Sequence, residues 1–241
     1  MQGEAFEALL LREPRRGELI TLRDFSGREF RARITELGGE GATIYVFQEL
    51  KVLTEPPFDL LLLQALPDKE RMELIIQKVT ELGVKVIVPF KSQRSISLTE
   101  REARQPKAHR WQHIALKAMK QCRRLFLPYV APYCSFTEAL RWGQSAQMKI
   151  MLLEGEVRGL ASVLKSPSPP PRVALMVGPE GGWEDEEVSR ARKEGFITVG
   201  LGGRILRVET ATITACAILQ YRWGGLGGPS STPLSPSRSF L

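Results

Sequence analysis

Between Val173 and Trp223 two apolar strands each run straight into a glycine-rich loop. The first, Val173-Ala174-Leu175-Met176-Val177, delivers Gly178-Pro179-Glu180-Gly181-Gly182 and then an acidic helix start, Trp183 to Glu187. The second, Phe196 to Val199, leads into Gly200-Leu201-Gly202-Gly203-Arg204-Ile205-Leu206-Arg207, and a mostly apolar helix, Thr212 to Trp223, closes the stretch. Open parallel sheets bind their ligands just beyond the carboxyl ends of their strands. Glycines in one such loop need only make a tight turn. Two loops about 20 residues apart, each after an apolar strand, point instead to a pocket.

Phosphate is a poor match for that pocket. Gly178 to Gly182 is not followed by Lys-Ser/Thr, so it is no phosphate-cradling loop, and Ile205 stands where a dinucleotide fingerprint needs its third glycine. Glu184, Asp185, Glu186 and Glu187 suit a helix N-terminus, but they would repel a phosphate placed there. A neutral or cationic ligand fits better.

Upstream, Asp59 to Leu66 reads as a buried strand. Pro67, Asp68 and Glu70 open a helix whose stripe is Met72, Ile75, Ile76, Val79 and Leu82, and Gly83 ends it. Val84 to Val88 is the next strand, which completes a β-α-β unit and favours a parallel sheet. Ser135-Phe136-Thr137-Glu138 is a capping-box helix start, and Lys149 to Leu153 is another buried strand. Residues 1 to about 55 are β-rich, with runs at Leu19–Leu22, Glu29–Ile34 and Ala42–Val46 that suggest a small barrel. Glu55-Pro56-Pro57 is the expected linker, and the Gly/Ser/Pro-rich end is an expected mobile tail.

The glycine loops, with Leu201-Gly202, Arg204-Ile205-Leu206-Arg207 and Glu209-Thr210-Ala211, resemble the RsmE family. That family comprises 16S ribosomal RNA (uracil-N3)-methyltransferases of the knotted SPOUT class. Gln77-Lys78, Thr80-Glu81-Leu82-Gly83-Val84, Pro89 and Arg94-Ser95 match it as well, and the likeness runs from about Leu9 to Gly227. The resemblance implies an α/β fold: a parallel-sheet methyltransferase domain over 57–228, in which Leu201 to Thr210 passes through a loop as a trefoil knot. It also implies a PUA-like β-barrel that binds RNA over 1–56, with 229–241 left as tail. A homodimer and S-adenosylmethionine as cofactor follow from the same likeness. The cofactor would lie on Leu153, Glu154 and Gly155, on Gly178, Pro179, Glu180, Gly181 and Gly182, and on Leu201, Gly202, Ile205, Leu206, Arg207 and Thr210. The family departs from this chain at Lys120, where many relatives carry Glu.

Methylating uracil N3 requires the nitrogen to be held in line and its proton to leave. Arg94, Arg204 and Arg207 are candidates for holding uracil oxygens or a nearby phosphate, and Glu180 and Glu209 are possible bases. Two other readings stay open: a non-catalytic ribosome-binding protein that kept the fold, and a related enzyme acting on a ribose hydroxyl or on transfer RNA.

Charge places the RNA. The whole chain carries a formal +7, yet residues 1–55 hold 8 basic against 10 acidic side chains. The surplus sits between 91 and 124, and Arg94, Arg101, Arg104, Lys107, Arg110, Lys117, Lys120, Arg123 and Arg124 form the expected phosphate-backbone footprint. His109 and His113 have a metal-ligand spacing but no third ligand, so no metal is expected. No apolar run reaches membrane-span length and no signal peptide is visible. Cys122, Cys134 and Cys216 include no C-x-x-C pair, which suits reduced thiols in a cytoplasmic protein.

Overall fold

The computed structural model describes residues 1–95, 110–224 and 226. The expected tail 229–241 lies outside the described residues, as do Arg101, Arg104, Lys107 and His109.

The N-terminal unit contains α1 (Glu4–Leu10), β1 (Leu19–Arg23), β2 (Glu29–Leu37) and β3 (Ala42–Leu50). The three strands pair antiparallel in chain order. Phe6 and Leu9 of α1 cover one face, packing on Ile20, Ala32, Ile34 and Ala42. The expected closed barrel is absent among the described residues: the strands form an open sheet, and three strands are too few to close on themselves. The helix α1 was not expected in this β-rich stretch. At seven residues it is too short to announce itself by periodicity.

The larger unit follows from β4 (Asp59–Ala65) and α2 (Lys69–Glu81), then β5 (Val86–Lys91), α3 (Trp111–Cys122), and the short strands β6 (Tyr129–Val130) and β7 (Cys134–Ser135). After these come α4 (Phe136–Gly143), β8 (Met148–Leu152), β9 (Arg172–Val177), α5 (Asp185–Lys193), β10 (Ile197–Val199) and α6 (Val208–Trp223). The sheet order is β10-β8-β9-β4-β5-β6, with β7 also on β5, and every described pairing in it is parallel.

Alternating strand residues feed two cores. Leu60, Leu62, Ile150, Val173 and Leu175 pack with Met72, Ile76, Ala115 and Leu219 from α2, α3 and α6. Leu61, Leu63, Met151, Ala174 and Met176 face the other way, onto Phe136, Leu140, Val188 and Ala191 from α4 and α5. Burial on both faces explains why these strands read as unbroken apolar runs rather than as alternations. The helix α6, apolar nearly all round in sequence, was expected to be buried. Instead Thr212, Ala215, Cys216, Leu219 and Trp223 are buried, Ile213, Ala217 and Ile218 are half-buried, and Tyr221 is exposed.

The two units are clamped together. Glu55 accepts from Arg124 Nη2 at 2.6 Å and from the backbone N–H groups of Leu125 and Phe126, and Arg124 Nη1 donates to the carbonyls of Thr80 and Val84. Both side chains are buried. Arg124 is therefore corrected from RNA contact to structural clamp, because a guanidinium with its donors satisfied inside the protein cannot meet a phosphate. Lys120 is likewise drawn inward, donating to the Glu13 carbonyl at 2.6 Å and pairing with Glu18 at 3.2 Å. It ties the units together rather than adding to a free basic face.

Candidate functional site

Three loops leave the carboxyl ends of neighbouring strands. β8 gives Leu153-Glu154-Gly155, β9 gives the loop Gly178–Trp183, and β10 gives the run from Gly200 to Arg207. They surround a cleft of about 400 Å3. Its apolar floor comes from the strand ends Leu152, Val177 and Val199, and its walls from the loops.

Close backbone packing holds the loops in register. Trp183 Nε1 donates to the Leu152 carbonyl at 2.8 Å, and its ring stacks on Phe90 with centroids 6.2 Å apart. A Cβ on Gly178 would lie 2.9 Å from that indole, so only glycine lets the loop fold over it. On the other side Leu153 N–H donates to the Val199 carbonyl at 2.9 Å, and Gly200 N–H to the Arg158 carbonyl at 2.8 Å. A Cβ on Gly200 would sit 2.4 Å from the Glu156 carbonyl oxygen, so here too a side chain is excluded.

Arg71, in the first turn of α2, joins the cleft from outside the loops. Its Nη1 donates to Glu180 Oε1 at 2.8 Å and to Asp68, and its Nε lies 3.3 Å from Glu209 Oε2. Hydrogen bonding to Glu180 is the main cause of a guanidinium pKa above its ordinary value, with Asp68 and Glu209 adding to it. One cation thus ties the β9 loop to the start of α6. The sequence reading passed over it. The available signal was a basic residue in a first helical turn, where the helix dipole disfavours it.

Most of the expected cofactor residues line this cleft: Leu153, Glu154, Gly155, Gly178, Pro179, Glu180, Gly182, Leu201, Gly202, Ile205, Leu206 and Arg207. Arg204 is there too, with Trp183, Val208 and Ala211, which were not expected as cofactor residues. Gly181 and Thr210 are not among the lining residues. Gly181 packs on the opposite side, where its Cβ would meet Arg94 Cβ at 3.0 Å. Glu209, expected as a possible base, is turned to Arg71 and also does not line the cleft. Arg94 is displaced from the expected catalytic position: its Nε donates to Glu184 at 2.6 Å and its Nη1 to the Gly181 carbonyl at 3.0 Å, so it braces the loop from behind.

The acidic helix start also proves structural. Glu184 and Glu187 form a reciprocal capping box at the start of α5. Glu187 is buried and accepts from Ser92 Oγ and Gln93 N–H at 3.1 Å each. None of Glu184 to Glu187 lines the cleft, whose carboxylates are Glu154 and Glu180 beside three arginines. The expectation of a cationic ligand therefore rested on the wrong acids.

Of the basic footprint, Arg110, Lys117 and Arg123 are exposed on or beside α3, with Arg123 its left-handed cap. His113 is exposed on the same helix. No helix among the described residues is long and apolar enough to cross a membrane.

A parallel α/β domain with a glycine-lined cleft at its strand ends is the architecture of a nucleotide-type cofactor enzyme. The model of the RNA methyltransferase domain matches residues 54–220. Ribosomal RNA small subunit methyltransferase E of Bacillus subtilis is 29% identical over 211 residues, covering 86% of this chain and 82% of its own. The crystal structure of the Neisseria gonorrhoeae ribosomal RNA small subunit methyltransferase E bound to S-adenosyl methionine is 33% identical, with a TM-score of 0.67 over 92% of this chain and 91% of that one. A putative methyltransferase from Legionella pneumophila, in complex with the same cofactor, is 32% identical with a TM-score of 0.66 over 89% and 87% of the two chains. This chain belongs to the RNA methyltransferase family, in its RsmE branch.

Proposed function

We propose that this chain is an S-adenosylmethionine-dependent enzyme that methylates the RNA of the small ribosomal particle, 16S rRNA, at N3 of a uridine. The carrying observation is the convergence of three adjacent strand-end loops on one cleft of about 400 Å3, in a chain of this family.

The residues present fit the cofactor. The floor of Leu152, Val177 and Val199 is apolar enough for an adenine ring, and the peptide groups of the loops offer donors and acceptors to a base and a ribose. Glu154 and Glu180 face the same space and suit an amino group. When bound, S-adenosylmethionine would supply a sulfonium methyl carbon for a nitrogen to attack, the S–C bond breaking and the neutral thioether leaving.

The chain's own part is orientation and charge. Arg204 and Arg207, both exposed at the cleft, hold the uracil oxygens and stabilise the negative charge that develops as the N3 proton passes to solvent water. Arg71 keeps Glu180 against the N-terminus of α2, where the Asp68 N–H also donates to it at 3.2 Å. A target base within paired RNA has to be exposed first.

Arg110, Lys117 and Arg123 supply phosphate contacts, and the N-terminal unit extends the RNA surface. The half-buried outer side of α6, with Ile213, Ala217 and exposed Tyr221, suits a homodimer contact. Passage of the Leu201–Thr210 segment through a loop as a knot, and a cytoplasmic setting among ribosomes, complete the reading.

Mass mapping of 16S rRNA from cells with and without the gene tests it. Loss of one 3-methyluridine is expected in the deletion; an unchanged 3-methyluridine level removes the uracil-N3 assignment. Calorimetry on the purified chain is expected to show S-adenosylmethionine binding, and no heat at millimolar ligand would remove the enzyme.

A further inference from the structure

The N-terminal sheet has one face covered by α1; the other is covered near β1, where Thr21 is buried against Arg123, and is exposed along β3. Solvated faces of antiparallel sheets are normally polar. This one carries Tyr45 and Phe47, 62% and 46% exposed, with ring centroids 6.4 Å apart and planes 26° from parallel. Arg33 stands directly across from Tyr45 and is exposed. Antiparallel partners share a face with Cβ atoms roughly 5 Å apart, so Arg33 and Tyr45 form one surface, which Phe47, at a bulge in β3, joins through its ring contact with Tyr45.

That surface continues into the second unit. Arg31 Nη1 donates to the Arg123 carbonyl at 2.9 Å and to Thr21 Oγ1, and Thr21 Oγ1 donates to the same carbonyl at 2.7 Å. The sheet therefore abuts the C-terminal end of α3, on which Arg110 and Lys117 are exposed. Lys117 lies seven positions after the helix cap Arg110, about 10 Å along the axis. The acids around this junction are already held: Glu29 by Arg23, Glu55 by Arg124 and Glu18 by Lys120.

We propose that Tyr45 and Phe47, flanked by Arg33, are a base-stacking platform for a single-stranded segment of the RNA substrate, with α3 holding the adjoining phosphates. The proposal rests on the reading of the chain as an RNA enzyme and adds a site to it. Two exposed aromatic rings offer π-faces that any unpaired base can use, and an arginine beside them adds both stacking and charge. A duplex offers no such faces, because its bases are stacked on each other. Charge decides for RNA over an apolar protein partner: Arg33 lies across from Tyr45, and Arg123 at the end of α3 abuts the same sheet. The net −2 of residues 1–55 conceals this, because it sums over the whole unit, whereas Arg31 and Arg33 share the face that carries Tyr45.

The test compares the full-length parent with a Tyr45→Ala/Phe47→Ala double variant. Fluorescence anisotropy would follow a labelled single-stranded RNA of mixed sequence across a salt series. Stacking is worth about 1–3 kcal/mol per base, so affinity is expected to fall about tenfold or more with the slope against salt unchanged. Lys117→Ala is expected to lower that slope by about one instead. A Tyr45→Trp variant should show quenched indole fluorescence on adding the single strand and not on adding its duplex.

Three outcomes overturn the platform: parent-like affinity in the double variant, equal loss of affinity for duplex and single strand, or a change of oligomeric state in sedimentation without a change in RNA affinity. Calorimetry with S-adenosylmethionine separates the two readings. Cofactor binding by parent and variant alike leaves the enzyme standing whichever way the platform falls, whereas absence of binding in the parent removes the enzyme first.

Discussion

Two arginines show how far a side chain's role depends on its partners. Arg71 and Arg124 are alike in chemistry, yet one borders a cleft and the other is sealed in protein. Arg124 and Glu55 have 4% and 8% of their side-chain surface exposed, and removing one member leaves an uncompensated buried charge. Arg124→Ala is therefore expected to cost about 3–5 kcal/mol in denaturant unfolding, with the salt slope of RNA binding unchanged. A reduced slope with full stability would return Arg124 to the RNA surface. Arg71 is partly exposed, and its loss should act on the site instead. Arg71→Ala releases Glu180 and Glu209 together, and a rise of about tenfold in the cofactor KM is expected, larger than the fall in kcat, since misplacing a binding loop by about 1 Å can cost that much or more. Arg71→Lys should recover only part, because one ammonium cannot reproduce a guanidinium shared among three carboxylates. An unchanged KM in Arg71→Ala would separate the cluster from cofactor binding.

At the scale of single elements, two helices carry legible signals of different kinds. The capping box at α4 was readable as Ser135 followed by Glu138, and it forms as read: Glu138 N–H donates to Ser135 Oγ, and Ser135 N–H to the Glu138 carboxylate. Ser135→Ala should cost about 1 kcal/mol of stability in thermal unfolding. The helix α6 carries Cys216, fully buried, whose thiol is pushed from 9.0 up to about 12 by desolvation. The unfolded chain then loses this proton at lower pH than the folded one. The resulting stability is complete below pH 9 and is lost as pH rises from there towards 12. Melting temperatures measured across that range should fall, and Cys216→Ala should flatten part of the fall. An identical pH profile in that variant would show that the thiol is not responsible.

For the whole molecule, the order β10-β8-β9 brings three loops, from Leu153 to Arg207 in sequence, to one cleft. Ligand binding there is linked to folding. S-adenosylmethionine at about 100 times its Kd should raise stability by about 2.7 kcal/mol, read as an upward shift of the melting temperature. The same shift should shrink in Arg207→Ala if that side chain holds ligand, and a full shift would excuse it. The parallel sheet, its βα alternation and the loops after Val177 and Val199 were legible because apolar runs, turn glycines and helix caps are local properties of a chain. Gly178 and Gly200 are readable as loop glycines, but only the fold shows what a side chain would strike there: the Trp183 indole and the Glu156 carbonyl. What only the tertiary structure decided is which charge meets which. Arg71 finds Glu180 across 109 residues, Arg124 finds Glu55 across 69, and Glu187 turns inward to Ser92. Such pairings depend on where strands and helices bring distant segments, and no run of neighbouring residues encodes that distance. The open N-terminal sheet belongs with them, because closure into a barrel depends on how many strands arrive rather than on how any one of them reads.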